Sequence, residues 1–252
     1  MAHYTLLFSP TGGTENAANI LWPDSEVISL LKPCEGRAFT ADDTVFIAVP
    51  SFCGRVPAPA AERIRAFSGN GAKAILLCTY GNRQYDNTLS ELQDTADACG
   101  FVTVAAMAVV TEHSIYRHLG AGRPDDADME DLLYFKKAIA AATEPIGPLP
   151  GQHGTYHDFH LEAYDPAGTA DCTRCGICVS ECPVGALNPK YPHFIPNAKC
   201  IACMRCIKVC PENARKIAPI AAARIVSFLS PYLNERKPNE LYIKGSESSV
   251  HY

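Results

Sequence analysis

The sequence predicts two domains of unequal size: an α/β domain with a doubly wound, five-stranded parallel sheet over residues 1–143, and a small cysteine-rich domain over residues 162–218. Two observations predict this. Short apolar runs alternate with helical patterns through the first part, as in βαβ units. Eight of the twelve cysteines then fall in a short stretch that repeats one spacing. A chain of 252 residues is long enough for one ordinary domain and one small one.

Each predicted strand is a short apolar run bounded by polar or turn-forming residues. The five strands cover residues 4–8, 26–31, 44–49, 72–79 and 102–110. Helical patterns separate most of them and reach to about residue 22, then cover 57–67, 86–98 and 125–143. The last helix follows Pro124 and carries Asp125 and Asp126 in its first turn, where unpaired N–H groups favour acids. Strands interleaved with helices predict a parallel sheet with helices on both faces.

The loop between the first strand and the first helix is rich in glycine and hydroxyl groups. Its candidate binding residues are Ser9, Thr11, Gly12, Gly13 and Thr14. Hydroxyls and unpaired N–H groups converge at such a helix start, and the helix dipole favours an anion. The loop is neither a P-loop nor a G-x-G-x-x-G fingerprint. It predicts a phosphate site of another kind.

The pattern Ser9-x-Thr11-Gly12-x-Thr14 matches the phosphate loop of flavodoxins, T/S-x-T-G-x-T. This resemblance implies a flavodoxin-like sheet that binds FMN at the carboxyl ends of its strands. A later segment, Y-G-N-R-x-Y-D, is similar to a loop of fused flavodoxin–ferredoxin proteins of anaerobes. The resemblance makes the loops after the third and fourth strands candidates for FMN contact. Their candidate residues are Ser51, Phe52, Cys53, Gly54, Thr79, Tyr80, Gly81, Asn82, Arg83, Tyr85 and Asp86.

Two features depart from the flavodoxin pattern. Pro10 has no N–H, so that position cannot bond a phosphate. The single tryptophan, Trp22, ends the first helix, where packing is expected. Phe52, Tyr80 and Tyr85 are therefore the candidates for stacking on the flavin ring, with loop packing as the alternative for each. Arg55 and Arg83 are expected beside the ring, where a cation stabilises added negative charge.

The repeated cysteine pattern is C-x-x-C-x-x-C-x-x-x-C-P, once from Cys172 and once from Cys200. This is the spacing of bacterial ferredoxins with two [4Fe–4S] clusters, in which the fourth cysteine of each run ligates the other cluster. The first predicted cluster takes Cys172, Cys175, Cys178 and Cys210. The second takes Cys200, Cys203, Cys206 and Cys182. The resemblance implies a small α+β bacterial-type ferredoxin domain. Zinc is the alternative, although zinc sites use two C-x-x-C pairs around one ion.

Four cysteines and several histidines lie outside these patterns. Cys34, Cys78 and Cys99 are expected to behave as small buried hydrophobes, and Cys53 is a candidate thiol in the flavin loop. His113 follows the last strand and could reach the flavin edge. Residues 144–161 predict a linker, with a metal site at His153, His157 and His160 as the alternative. Residues 219–252 predict a C-terminal helix to about 232 and a polar tail.

The charge of the chain limits its partners. The formal net charge is −5, and two oxidised clusters at about −2 each bring it to about −9, which argues against nucleic acid. No apolar run reaches the length of a membrane span, and no signal peptide is recognised at the N-terminus. Cysteines that ligate iron must stay reduced, which predicts a cytoplasmic protein. Oxygen-sensitive clusters further suggest an anaerobe.

These features together predict an FMN- and iron–sulfur-dependent oxidoreductase that exchanges electrons with a redox partner protein and has a possible small-molecule substrate. The alternative is an electron carrier without its own substrate. A third possibility is a flavodoxin-like domain that has lost FMN and serves for docking. Without a Rossmann motif, electrons are expected from a reduced carrier protein rather than from NAD(P)H.

Overall fold

The structure is a computed structural model, and it describes residues 2–157 and 164–245. Strands and helices alternate through the first domain. Its parallel strands are β1 (His3–Leu7), β2 (Glu26–Ser29), β3 (Thr44–Pro50), β4 (Lys73–Tyr80) and β5 (Val102–Val110). Its helices are α1 (Gly13–Leu21), α2 (Ala58–Ile64), α3 (Thr88–Ala98) and α4 (Asp126–Ala141). The predicted five-stranded parallel sheet is therefore present, with element bounds within a few residues of those predicted.

The parallel strands lie in the order β2-β1-β3-β4-β5. This is the order of the flavodoxin-like doubly wound sheet, whose switch point lies between β1 and β3. Alternate side chains of each strand fill two cores, one on each face of the sheet. Phe8, Ile47 and Leu76 lie in one core. Phe46 and Leu77 lie in the other.

Trp22 packs against the second of these cores. Its ring stacks on Phe46 with ring centroids 6.1 Å apart. The packing expected for Trp22 is therefore what the structure shows, and the side chain lies away from the phosphate loop.

A sixth strand, not predicted from the sequence, extends the sheet. It is β8 (Glu240–Ile243), which follows the second domain in the chain and pairs antiparallel with β5. Residues 233–252 were expected to form a polar tail. The strand forms because it covers the edge of β5 and buries Leu241 completely. Its apolar run is only three residues long, too short to show a strand period.

The start of α4 anchors this C-terminal segment. Asp125 caps the helix and forms a capping box with Asp128, which accepts from the Asp125 backbone N–H at 2.9 Å. Asp128 is fully buried and also accepts from Arg123 Nε at 2.9 Å and from Asn239 Nδ2 at 2.8 Å. Asn239 Oδ1 in turn accepts from the Val110 N–H at 2.9 Å. A buried ion pair therefore fixes the segment that leads into β8.

The second domain is small and has little apolar core. It contains a two-stranded antiparallel ribbon and two single-turn helices. These are β6 (Ala167–Gly168), α5 (Ile177–Ser180), α6 (Arg205–Lys208) and β7 (Arg215–Lys216). Its buried cluster consists of Cys178, Cys182, Ala186 and Leu187. The boundary predicted at residues 161 and 162 lies outside the described residues. Such a domain needs bound cofactors for most of its stability.

The second domain and the helix that follows it both pack on the first domain. Lys32 Nζ donates to the Cys182 carbonyl at 2.5 Å, and Arg63 Nη2 donates to the Pro183 carbonyl at 2.6 Å. Arg205 Nη1 donates to the Pro10 carbonyl at 3.2 Å.

The C-terminal helix α7 (Pro219–Leu229) also packs back on the first domain. It buries Ile225 and Leu229 against Leu119. Among residues 2–157 and 164–245, no helix is long and apolar enough to span a bilayer.

Candidate functional site

The loops at the carboxyl ends of β1, β3, β4 and β5 enclose two cavities that share a wall. The smaller measures about 50 Å³ and the larger about 310 Å³. Both are lined by Ser51, Phe52, Tyr80, Gly81, His113 and Ser114. Ligands of open α/β sheets bind at this edge. The two cavities together form one candidate site, the sheet-edge site.

The smaller cavity lies at the loop predicted to bind phosphate. Thr11, Gly13 and Thr14 line it, with Thr79 and Thr111 opposite. Gly12 has φ 96°, and a Cβ placed there would meet no atom within 4 Å. The backbone therefore leaves open space beside the N-terminus of α1, where N–H groups and the helix dipole favour an anion.

Two hydroxyls predicted to contact phosphate instead make bonds within the protein. Ser9 Oγ accepts from the Glu15 N–H at 3.0 Å. The Thr14 and Thr79 hydroxyls lie 2.7 Å apart and are buried. Both bonds hold the loop in shape, so the open cradle is formed by backbone around Gly12 with Thr11 beside it. The Pro10 carbonyl points outward to Arg205 of the second domain.

The larger cavity is mostly apolar. The predicted residues Ser51, Phe52, Cys53, Tyr80, Gly81 and Arg83 line it. The other lining residues were not among the predicted contacts: Gln84, Ser114, Ile115, Tyr164, Ile201, Ala202, Ile225, Phe228 and Leu229. No motif marks these positions, because Tyr164, Ile201 and α7 reach the cavity only through the packing of the second domain. Arg83 is the only charged residue among the described lining residues.

Four residues of the loops after β3 and β4 that were predicted to contact FMN line neither cavity: Gly54, Asn82, Tyr85 and Asp86. The last three belong to the loop after β4, which contacts the C-terminal segment instead. Asn82 is buried, and its Nδ2 donates to the carbonyls of Tyr232 at 3.2 Å and Glu235 at 2.6 Å. Tyr85 lies 2.9 Å from Tyr242, hydroxyl to hydroxyl.

Gly54 and Asp86 pack directly against each other. A Cβ on Gly54 would lie 2.5 Å from Asp86 Oδ2. Arg55, which was expected beside the ring, instead pairs with Glu91. These residues shape and support the site rather than line the larger cavity.

Neither Cys53 nor His113 carries a charge at neutral pH. Cys53 is exposed at the surface and has φ 54°. Desolvation by the protein atoms around the thiol still raises its pKa to about 11, and the Arg83 charge does not offset this, so it lacks the lowered pKa of a reactive cysteine.

His113 Nδ1 accepts from the N–H groups of Ile115 at 3.2 Å and Tyr116 at 3.0 Å. Burial, with Arg83 adding to it, lowers the pKa of His113 to about 4. The imidazole is therefore neutral, with its proton on Nε2. His113, which follows β5, was the one residue of this wall of the site that the sequence predicted.

The eight cysteines of the second domain lie in two groups of four, each around its own small cavity. One cavity, of about 10 Å³, is lined by Cys172, Cys175, Cys178 and Cys210. The other, of about 20 Å³, is lined by Cys182, Cys200, Cys203 and Cys206. We call these the first and second cysteine groups. They are the two sets that the ferredoxin spacing predicts, including the exchange of the fourth cysteine between the runs.

The backbone supports the two groups in the same way. The Ala186 N–H donates to Cys182 Sγ at 3.3 Å, and the Ala214 N–H donates to Cys210 Sγ at 3.3 Å. Within the described residues, no three Cys, His, Asp or Glu side chains converge closely enough for a single metal ion. A tetrahedral zinc site needs such convergence, whereas a cluster binds each thiolate to a separate iron. The geometry fits clusters better than zinc.

The histidines of the predicted linker make structural contacts. His153 Nδ1 lies 2.7 Å from Asp94 Oδ1, and its Nε2 lies 2.9 Å from the Leu149 carbonyl. The His157 carbonyl accepts from Arg55. His160 lies outside the described residues. The segment up to residue 157 thus lies along α3 as a connection held by hydrogen bonds.

Ile201 joins the two parts of the molecule. It lies between Cys200 and Cys203 and lines the cavity of the second cysteine group. The same residue lines the larger cavity of the sheet-edge site. The three hydrogen bonds described above between the second and first domains also involve residues that line the cavity of this group: Cys182, Pro183 and Arg205. The second cysteine group, rather than the first, therefore faces the sheet-edge site.

Comparison with protein families supports the assignment of the second domain. Residues 171–215 match the family described as 4Fe-4S dicluster domain. A search of curated proteins found no match. The flavodoxin of Streptococcus pneumonia TIGR4 is 19% identical, with a TM-score of 0.39, and the match covers 56% of this chain and 99% of that one. Flavodoxin 1 of Bacillus cereus is 15% identical, with a TM-score of 0.36, over 56% of this chain and 98% of that one.

Rubredoxin oxygen:oxidoreductase of the anaerobe Desulfovibrio gigas is 15% identical, with a TM-score of 0.34, over 55% of this chain and 34% of that one. The strand order, rather than these scores, carries the assignment of the first domain. The chain is a fusion of a flavodoxin-like domain with a ferredoxin-type 4Fe-4S domain.

Proposed function

We propose that the protein is an oxidoreductase that passes electrons between two [4Fe–4S] clusters and a bound FMN. The observation that carries the proposal is the position of Ile201, which lines both the cavity of the second cysteine group and the larger cavity of the sheet-edge site. A single side chain between two redox sites suits electron exchange within one chain.

The sheet-edge site has the features that FMN needs. The open space at the N-terminus of α1 would accept a phosphate, and the adjoining apolar cavity, which Phe52 and Tyr80 line, would hold the flavin ring. When bound, FMN accepts electrons singly and delivers them in pairs. The protein contributes the ring environment, in which Arg83 is the charged lining residue and the neutral His113 offers an N–H.

The cavity walls favour an enzyme over a pure carrier. Tyr164, Ile201 and three residues of α7 cover the flavin cavity, so an external protein has no direct approach to the ring through this wall. Electrons would instead enter at the second domain from a redox partner protein, and a small apolar molecule could approach beside Phe228, which is 61% exposed. The alternative, a carrier without a substrate, predicts no turnover in a substrate screen.

The first test is the cofactor content of the protein purified without oxygen. We expect about eight irons and eight sulfides per chain, and one FMN released by denaturation. The second test is rapid mixing with a small reduced ferredoxin, which is too large to enter the cavity. Flavin reduction should slow at least tenfold in Cys206→Ala, which interrupts the group next to Ile201. Reduction at the wild-type rate in that variant would refute the proposed route, and absence of bound flavin would refute the function.

A further inference from the structure

Arg215 is a fully buried cation in the second domain, with 2% of its surface exposed. Its guanidinium donates to the carbonyls of Pro166, Pro192 and Phe194. Its Nε is buried and has no hydrogen-bond partner among the described residues, and no carboxylate of residues 2–157 or 164–245 pairs with it. Carbonyls satisfy N–H groups but do not neutralise a charge, and a buried unpaired cation is costly.

The internal repeat shows that the fold does not require this charge. Arg215 lies five residues after Cys210, the last cysteine of the second run. The equivalent position of the first run, five residues after Cys182, is Leu187. Leu187 is also buried, at 5% exposed, and packs in the small apolar cluster of the domain. One repeat thus places an apolar side chain where the other places a guanidinium.

The charge of Arg215 acts on both cysteine groups. Arg215 lines the cavity of the first group, and its guanidinium interacts with Cys178 of that group and with Cys206 of the second. Leu187 lines the cavity of the second group. The first cavity is also lined by Arg174 and Glu212, but both are exposed and screened by water. A cluster with four thiolates is anionic, and it would supply the negative charge that Arg215 lacks.

We infer that Arg215 is a buried counter-cation shared by the two clusters, and that its charge raises the reduction potential of both. A nearby cation stabilises added negative charge, most strongly where water is excluded. The inference rests on the cluster content of the proposed function. It concerns neither the flavin nor the substrate, so its test does not depend on either of them.

The test is a redox titration of the full-length protein, reconstituted with iron and sulfide and followed by electron paramagnetic resonance. The neutral variant is Arg215→Gln, which keeps an N–H for a carbonyl. Arg215→Lys keeps the charge, and Lys216→Gln removes an equal charge at the exposed neighbouring position. The potentials are assigned with Cys175→Ala and Cys206→Ala, because each leaves one complete cysteine group.

We expect Arg215→Gln to shift the reduction equilibrium of both clusters at least tenfold toward the oxidised form, which is about 59 mV for one electron. Arg215→Lys and Lys216→Gln should stay within threefold of wild type. Assembly of clusters in Arg215→Lys but not in Arg215→Gln also supports the inference. An unchanged potential of either cluster in Arg215→Gln, an equal shift in Arg215→Lys, or loss of assembly in both variants would overturn it.

Discussion

Arg55 and Glu91 form a two-pronged ion pair beneath the flavin loop. Arg55 Nε donates to Glu91 Oε2 at 2.7 Å, and Nη2 donates to Oε1 at 2.8 Å. Glu91 Oε2 also accepts from the Val56 N–H at 2.8 Å. The pair is largely buried, with 19% and 8% of the two side chains exposed. Arg55 was expected to tune the flavin, but its charge is neutralised by Glu91 and it does not line the larger cavity.

The Arg55–Glu91 pair should therefore stabilise the fold without changing the reduction potential of the flavin. We expect Glu91→Gln to lower the free energy of unfolding by about 3 kcal/mol, because it removes the largely buried carboxylate that accepts both hydrogen bonds from Arg55. The flavin potential should not change. The double variant Arg55→Met/Glu91→Leu should recover much of the lost stability. Thermal unfolding and a redox titration of the same samples check this. A change in flavin potential without a change in stability would contradict it.

The sequence was sufficient where the determinants are local. The runs that form β3 and β5, the glycines of the first loop and the cysteine spacing are each contained within a short segment, and the structure places them as expected. It was insufficient where the partner lies far along the chain. Asn82 bonds a segment about 150 residues away, and Ile201 reaches the sheet-edge site only because the second domain packs there. Such contacts leave no periodicity for a sequence pattern to show.

Removal of one cysteine should remove one cluster only. In Cys175→Ala we expect iron to fall from about eight to about four per chain, with FMN still bound. The second domain should become less stable, because its buried core is small and its cofactors hold it together. Iron analysis, flavin analysis and thermal unfolding measure the three quantities. Retention of about eight irons in this variant would contradict the ligand assignment.

Phosphate binding should depend on the absence of a side chain at Gly12. We expect Gly12→Val to weaken FMN binding at least tenfold, about 1.4 kcal/mol, because the new side chain enters the open space at the cradle. Iron content should be normal. Gly122→Val is a matched control, since Gly122 has φ 77° and also meets no atom within 4 Å of an added Cβ. Titration of the flavin-free protein with FMN measures both. Equal losses in the two variants would mean that backbone strain, not the cradle, is responsible.

The connection along α3 should show a small dependence on pH. The hydrogen bond with Asp94 raises the pKa of His153 above its usual value. Its stabilising effect is therefore complete below about pH 6.5, the unfolded value, and is lost as pH rises through the folded value. Both side chains are 32% exposed, so the effect should be about 0.5 kcal/mol or a shift of about 1–2 °C in Tm. His153→Gln should remove the change in Tm between pH 6 and pH 8.5, and a full-size change in that variant would exclude His153 as its source.

Arg83 and Asp86 should tune the flavin in opposite directions. Arg83 lines the larger cavity and is paired with Asp86, which does not line it. A cation beside the ring stabilises the negative charge that reduction adds. We expect Arg83→Gln to make the flavin harder to reduce, by up to about 30 mV or 1.4 kcal/mol for two electrons. Asp86→Asn should make it easier to reduce, because it leaves the Arg83 charge uncompensated.

No acidic residue is among the described residues that line the larger cavity. This predicts how the flavin takes up its two electrons. Acidic surroundings disfavour the fully reduced anionic flavin, so the wild-type flavin should take up two electrons over a narrow range of potential, with little of the one-electron form. A titration that follows the visible spectrum tests both points. Identical potentials in wild type, Arg83→Gln and Asp86→Asn would show that Arg83 does not act on the ring. A long-lived one-electron form that is unchanged in Arg83→Gln would favour a carrier over an enzyme.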